Sequence, residues 1–282
     1  MSKKYILLGL LPFFFACDHI DEGDRFIKMQ GFADNEDDST SITSTYKNIL
    51  IEDFTGQRCV NCPKGSQTIE QLQESKFGSR IVAVGIHSGP FGKNASGTKL
   101  LSLATQTGCD YYDYWKVEAQ PGALINRQKP IRYNVFEWTT DVINLLSAKA
   151  NLSINAEAII NGNNMEISVS EKAIENVAGK LQVWVIEDNI VDIQTMPDAP
   201  DENPDWTGGN KRDYVHNHVF RTSVNAPMGD DFSINKDEEK QQTFVQALDA
   251  AWNPANLSVV VFVYNDNGVE QVVKSKVESL TQ

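Results

Sequence analysis

A pair of cysteines separated by two residues, Cys59 and Cys62, stands at the junction of a predicted strand and a predicted helix. The β-branched, apolar run at residues 49–54 predicts the strand, and apolar residues at helical spacing within residues 65–76 predict the helix. Pro63 suits the first helical turn, where its missing N–H has no partner to lose. Cysteines with this spacing at a helix start lie within bonding distance, and the free backbone N–H groups there stabilise a Cys59 thiolate.

This cysteine pair has three possible roles. Structural zinc requires four ligands, and the other candidates stand at irregular spacings, so the sequence predicts no metal site. Those candidates are Cys109, His87, His216 and His218. Thiol–disulfide exchange and a permanent disulfide both remain open, since an oxidising cell envelope favours a bridge that locks the helix start. No cofactor is expected, and Cys109 is expected to be a buried free thiol.

The amino terminus has the pattern of a signal peptide. Lys3 and Lys4 precede an apolar run of twelve residues, 5–16, which as a helix rises about 18 Å and is short of the roughly 30 Å bilayer core. The run ends at Cys17 in a sequence that resembles a bacterial lipobox, which implies removal of residues 1–16 and lipidation of Cys17. We therefore expect an acidic, lipid-anchored tether at residues 17–45 and a protein at the outer membrane, facing the periplasm or the cell surface.

The charge balance limits the partners of the folded part. The chain carries 38 acidic and 25 basic residues, a formal net charge of -13. Nucleic acid is excluded as a main partner because phosphate binding needs a basic surface. The expected partners are the membrane, through the anchor, and either protein thiols and disulfides or a surface ligand.

The elements after the cysteine pair complete a recognisable order over residues 46–150. Four are predicted: a strand at residues 81–86, a strand entered by Pro121, a hairpin partner at 131–136 and a helix at 137–150. With the first strand and helix, this order resembles that of the thioredoxin superfamily, interrupted by an insertion at residues 88–118.

The thioredoxin resemblance implies roles for particular residues. Cys59 corresponds to the attacking thiol and Cys62 to the resolving thiol, and Pro121 to the residue that presents backbone to an extended substrate. Asp53 stands where thioredoxins hold a buried acid that manages the proton of the resolving thiol, although Glu52 competes for this role.

Beyond residue 150 the apolar period changes to two, which indicates β-structure. Residues 152–160 alternate, a turn follows at 161–164, and about seven strands are predicted within residues 151–282. The predicted fold is thus α/β plus all-β, a thioredoxin-like domain followed by an immunoglobulin-like antiparallel β-sandwich. One predicted strand, residues 214–222, would place His216 and His218 on a single face.

Aromatic residues outside the predicted core are candidates for ligand binding. Tyr112 and Trp115 lie in the insertion and could line a groove, although packing of the insertion against the core explains them as well. Trp206 lies in a long polar loop at residues 197–212, a common position for recognition residues on a rigid sheet.

Several motifs together resemble one family. They are the lipobox, the acidic tether, Glu52-Asp53-Phe54-Thr55-Gly56 before the cysteine pair, Pro121-Gly122 with Asn126-Arg127, and residues 214–221, YVHNHVFR. From about residue 46 to the carboxyl terminus the chain resembles the outer membrane lipoproteins named for a twenty-eight-kilodalton surface antigen. That resemblance implies an outer membrane location and a role as an adhesin or receptor. A binding protein of this kind would keep the cysteine pair as a static disulfide. Thiol–disulfide exchange through the cysteine pair is the competing interpretation, so whether the chain is an enzyme stays open.

Overall fold

The computed structural model describes residues 46–196 and 210–279. The predicted signal peptide, Cys17, the tether and Trp206 lie outside these residues. Three α-helices and fourteen strands are formed within them: β1 Ile49–Thr55, α1 Cys62–Glu74, β2 Ile81–His87, α2 Gln106–Trp115, β3 Gly122–Ile125, β4 Gln128–Arg132, α3 Val135–Leu145, β5 Leu152–Asn161, β6 Asn164–Ala173, β7 Val177–Glu187, β8 Ile190–Thr195, β9 Asn210–His216, β10 Val219–Ser223, β11 Asp230–Ile234, β12 Glu239–Ala247, β13 Leu257–Asn265 and β14 Gly268–Ser279. The described fold is therefore rich in strands, and no helix in these two ranges is long and apolar enough to span a bilayer.

Strand β1, which leads to the cysteine pair, lies between β2 and β3 near one edge of a large mixed sheet of twelve described strands. It pairs in parallel with β2 along its whole length and antiparallel with β3, and β4 follows β3 at the edge. On the far side of β2, strand β10 adds to the same sheet in parallel, at Val219. A strand from the second half of the chain thus completes the sheet of the first half, and the division into domains at residue 150 stays a prediction.

Both faces of β1 are buried, because side chains alternate along a strand. Ile49 and Ile51 pack in a core with the helices α1 and α3, while Leu50 and Phe54 face the opposite way. In α1 the buried residues recur at helical spacing, and Gly65 lets the helix approach α3, since a Cβ there would lie 2.8 Å from Trp138.

Strands β7 and β13 are also buried on both faces and form a middle layer. Val183 and Val185 of β7 pack with the β5–β6 hairpin, whereas Trp184 and Ile186 pack against the face of β1 that carries Leu50. The continuous apolar runs in both strands agree with this burial. Through β10, the β7–β13 layer is continuous with β2 and β1 in one sheet, which packs α1 and α3 on the face of Ile49 and α2 on the face of Leu50.

Several sequence-based element boundaries differ from the structure. The predicted strand at 214–222 is two strands, β9 and β10, because the chain turns at Asn217 and at His218, whose φ is +46°. The helix predicted at 137–150 begins at Val135, where the Asn134 side chain accepts a hydrogen bond from the Phe136 N–H. The hairpin partner predicted at 131–136 is β4, which ends earlier, at Arg132. Strands β8 and β12 have no counterpart in the sequence-based prediction.

Candidate functional site

The cysteine pair forms a disulfide at the junction of β1 and α1. Cys62 is the first residue of α1, Cys59 lies in the preceding turn, and their Cα atoms are 5.4 Å apart. Proline at the start of the helix and the backbone bond from Cys59 N–H to Gly56 O, 2.9 Å, shape this turn. Only 2% of Cys59 and 1% of Cys62 is exposed to solvent, so neither sulfur is open to attack in this conformation.

The insertion covers one side of the disulfide turn. Gly56 of the turn lies directly against the insertion, since a Cβ on Gly56 would be 2.5 Å from the carbonyl carbon of Phe91. The Arg58 N–H donates to Phe91 O at 3.1 Å, and the Arg58 guanidinium donates to the carbonyls of Lys93 and Asn94. The insertion therefore holds the backbone of the turn through direct hydrogen bonds.

The β8–β9 hairpin covers the other side, a feature that sequence reasoning missed. The Thr195 N–H donates to Gln57 O at 2.8 Å, and the Gln194 side chain donates to Cys59 O at 2.9 Å. In return the Gln57 amide donates to Ile193 O at 3.2 Å. We call these three hydrogen bonds the latch.

Gln57 also connects the latch to the insertion. Its Oε1 accepts from the Ser102 hydroxyl and from the Leu103 N–H, each at 3.3 Å. The single hydroxyl proton of Ser102 is shared between this oxygen and a carboxylate oxygen of Asp192 in β8. The turn, the insertion and the hairpin thus meet at one buried glutamine.

A small cavity lies behind the disulfide. Its volume is about 10 Å³, room for about one water molecule. Its lining comes from β1, α1, β2 and the β8–β9 region, and consists mainly of polar side chains: Asp53, Thr55, Cys62, Ser66, His87, Gln194, Tyr214, His216, Asn217 and His218. No group of three or more potential metal ligands in the described ranges has a geometry that could hold an ion.

Asp53 is the buried acid of this cavity. It lies on the α1 side of β1, and its Oδ1 has no hydrogen-bond partner among the described protein atoms. Burial raises the pKa of Asp53 to about 8, so the carboxyl is protonated at neutral pH. Glu52 points to the opposite face, where Arg127 binds it through contacts of 3.1 Å to 3.3 Å. Of the two acids, only Asp53 lines a cavity with Cys62.

Three buried histidines surround the other side of the cavity. Burial lowers the pKa of His216 and of His218 to about 4, and holds the pKa of His87 well below its ordinary value, so all three are neutral at pH 7. The rings of His87 and His216 lie 5.3 Å apart, and His87 Nδ1 and His216 Nε2 have no partner among the described atoms. The two imidazoles of residues 216 and 218 share the cavity, although they do not share one strand.

Pro121 lies beside the first turn of α1. A Cβ placed on Gly65 would lie 3.4 Å from the Cβ of Pro121. The peptide bond between Gln120 and Pro121 is cis. The Gln120 amide donates to Thr55 O at 2.5 Å and to Ser88 O at 3.1 Å, which fixes this loop against the ends of β1 and β2. The structure thus brings Cys59, Cys62, Asp53 and Pro121 into one region of the fold.

Tyr112 and Trp115 do not line this cavity. Tyr112 is half-buried, with its ring edge-on to Phe54 at 6.3 Å, and both Tyr112 and Trp115 pack against the core. Trp115 lies beneath the Arg127 and Lys129 cations, each 5.6 Å from its ring centre. Trp206 is outside the described residues.

Cys109 is a buried free thiol, and burial raises its pKa.

The Asn126-Arg127 motif has a structural position that spacing did not predict. Both residues have positive φ, 52° and 55°, in the turn between β3 and β4. This turn aims the Arg127 guanidinium at Glu52 and places it over the rings of Phe262, 4.7 Å, and Tyr264, 4.0 Å. The ion pair thus links β1 and the β3–β4 turn to β13, a more distant strand of the same sheet.

Comparison with known proteins places the chain in a family. The family described as outer membrane protein Omp28 matches residues 109–280, more than half of the chain. The chain belongs to the Omp28 family. The match contains the β8–β9 hairpin and begins after the cysteine pair, and Omp28 membership places the protein in the outer membrane.

Three solved structures are similar to this Omp28 member to different degrees. HBP35 of Porphyromonas gingivalis aligns with a TM-score of 0.65 and 14% identity, covering 85% of this chain and 79% of that one. A domain of the outer membrane lipoprotein Omp28 from the same organism is 24% identical, with a TM-score of 0.32, over 47% of this chain and 92% of that one. A protein of Agrobacterium tumefaciens is 14% identical, with a TM-score of 0.46, over 84% of this chain and 97% of that one. A search of curated proteins finds no match.

Proposed function

We propose that this chain is a lipid-anchored outer membrane protein whose Cys59–Cys62 pair exchanges disulfides with polypeptide substrates. In this proposal residues 46–150 form a thioredoxin-like unit and residues 151–282 an immunoglobulin-like sandwich. The order and pairing of β1, α1, β2, β3, β4 and α3 support the first assignment. Lipidation of Cys17 supplies the anchor.

The observation that carries the proposal is the buried carboxyl of Asp53 in the cavity behind Cys62, whose Oδ1 has no partner among the described atoms. Burying a polar group without a partner costs free energy, and a purely structural disulfide has no use for a proton donor. A resolving thiol does, because it must gain a proton when its disulfide opens and lose one when the disulfide forms.

The reaction follows from the oxidised state of the pair. A substrate thiolate attacks Cys59 Sγ, the Cys59–Cys62 bond breaks, and the Cys62 thiolate takes the proton of the Asp53 carboxyl. A second substrate thiolate then attacks the substrate sulfur of the mixed disulfide, and Cys59 leaves as a thiolate. The substrate loses two electrons, which the cysteine pair gains, and the reverse sequence reduces a substrate disulfide.

The test uses the full chain and a peptide that carries two thiols. Mass spectrometry should show the oxidised chain gaining two hydrogens as the peptide loses two, and reduced Cys62→Ser should hold the oxidised peptide as a mixed disulfide at Cys59. Cys59→Ser is the matched control and should trap none there. If wild type never transfers its disulfide and Cys62→Ser traps no peptide, exchange is refuted.

A second function, a binding protein with a static disulfide, is favoured by one observation. Both cysteines are nearly inaccessible, at 2% and 1% exposure. In that case the protein acts as an adhesin or a receptor, and the exchange experiment gives the negative result in every variant.

A further inference from the structure

We infer that the β8–β9 hairpin is a cover that occupies the site of an extended polypeptide substrate and must lift before the disulfide can react. This inference rests on the proposed function for the nature of the substrate. The closed conformation is then an inhibited state of the protein, held by the latch.

The latch satisfies two backbone acceptors at the attacking cysteine, the carbonyl of Cys59 itself and that of Gln57, two residues before it. Gln57 O accepts from the backbone N–H of Thr195, and Cys59 O accepts from the Gln194 amide. An extended polypeptide approaching Cys59 offers N–H donors of the same kind. The hairpin and a substrate strand therefore compete for the same two carbonyls.

The hairpin can move without breaking the main sheet. Strands β8 and β9 pair only with each other among the described strands, in a separate sheet of two. Its outer side is open to solvent, with Val191 63% and Val215 47% exposed. The side that carries Gln194, Thr195 and His216 is buried, so lifting the hairpin breaks these contacts and leaves the main sheet paired, at a lower free energy than unfolding the whole protein.

The base of the hairpin stays attached while its far end carries the latch. Next to the base, the His218 N–H donates to Asp188 and the Asn189 N–H donates to the Asn217 side chain. Gln194 and Thr195 lie at the other end of β8. This arrangement suits a swing about residues 188–189 and 217–218.

The hairpin also completes the cavity behind Cys62. Tyr214 and Ser66 of α1 both line the cavity, and His216 faces His87 across it. When the hairpin lifts, Tyr214 and His216 move away from the cavity, and water reaches Asp53. The same movement therefore admits the substrate and opens a proton path to the carboxyl.

The experiment weakens the latch and measures disulfide reduction in the full chain by dithiothreitol. Gln194→Met preserves side-chain volume and removes the bonds to Cys59 O and Thr195 O. We expect reduction about tenfold faster than in wild type, the scale expected for losing one to two hydrogen bonds. Ser102→Ala, an exposed change that removes the bonds to Gln57 and Asp192, should accelerate reduction about threefold without risk to folding.

Gln182→Met is the matched control. Gln182 is fully buried, and its amide nitrogen lies within hydrogen-bond distance of three acceptors in the β7 region, away from the latch, so this variant lowers global stability alone. Its reduction rate should equal that of wild type under native conditions. Equal acceleration in Gln182→Met and Gln194→Met would mean that reduction requires global unfolding, and the cover would be refuted.

Amide hydrogen exchange at Thr195 gives a second measurement. Because its N–H is a latch donor, its exchange rate should rise in Gln194→Met by the same factor as the reduction rate. A wild-type disulfide that dithiothreitol reduces as fast as a free peptide disulfide overturns the cover and leaves disulfide exchange standing. A latch-dependent reduction rate with no peptide transfer supports the cover and refutes the proposed exchange.

Discussion

Replacing Asp53 with asparagine should stabilise the protein, and by more at higher pH. Burial raises the pKa of Asp53 from its ordinary value of 3.8 to about 8. Between those values the folded chain holds a proton that the unfolded chain has released, so the wild-type free energy of unfolding falls as pH rises. The asparagine side chain of the variant cannot ionise in either state, which removes this dependence.

The structure gives the size of the effect. One proton held only by the folded chain changes the free energy of unfolding by about 1.4 kcal/mol per pH unit. With a pKa of about 8 in the fold, Asp53 destabilises the protein by about 4 kcal/mol at pH 7 relative to an unshifted carboxyl. The advantage of Asp53→Asn should therefore grow by about 3 kcal/mol from pH 5 to pH 7.

Urea unfolding of both oxidised chains at pH 5, 6 and 7 measures this difference. The buried histidines act in the opposite direction, because their lowered pKa values make stability fall as pH drops from 6.5 towards 4. They are present in both chains and cancel in the comparison. A stability difference that stays constant over these three pH values would refute the assignment of Asp53 as a protonated buried acid.

Two further changes test the ion pair and the anchor. Glu52→Gln leaves Arg127 buried without its carboxylate and should cost about 3–5 kcal/mol in urea unfolding. The double variant Glu52→Gln with Arg127→Met should recover most of that loss, and a double variant as unstable as the single one contradicts the ion-pair explanation. Cys17→Ser should release the protein from the membrane fraction, as measured by fractionation and mass spectrometry of the amino terminus. Retention of the unlipidated variant in the outer membrane contradicts anchoring through Cys17.

Local patterns in the sequence predicted local parts of the site. The β-branched run before the turn and Pro63 after it predicted β1 and the start of α1, because both signals act within a few residues. The alternation after residue 150 predicted the β5–β6 hairpin for the same reason.

The contacts that close the site could not be predicted in this way. Gln57 meets β8 across 136 residues, and Glu52 meets Arg127 across 75, so no spacing rule connects them. Strand β8 is short and pairs only with β9 among the described strands, and its register shifts between Asp192 and Gln194, which obscures a period of two. The break at His218 depends on a positive φ that a non-glycine residue rarely adopts.

Double-sided burial of β7 constrains how this chain can vary in length. Successive residues, such as Trp184 and Val185, belong to different cores. Deleting a single residue within the strand would send every side chain beyond it into the wrong core, with tryptophan entering a space shaped for valine. Insertions and deletions in relatives should therefore be confined to turns, and the sequence of the middle layer should change only by substitutions that preserve volume on both sides.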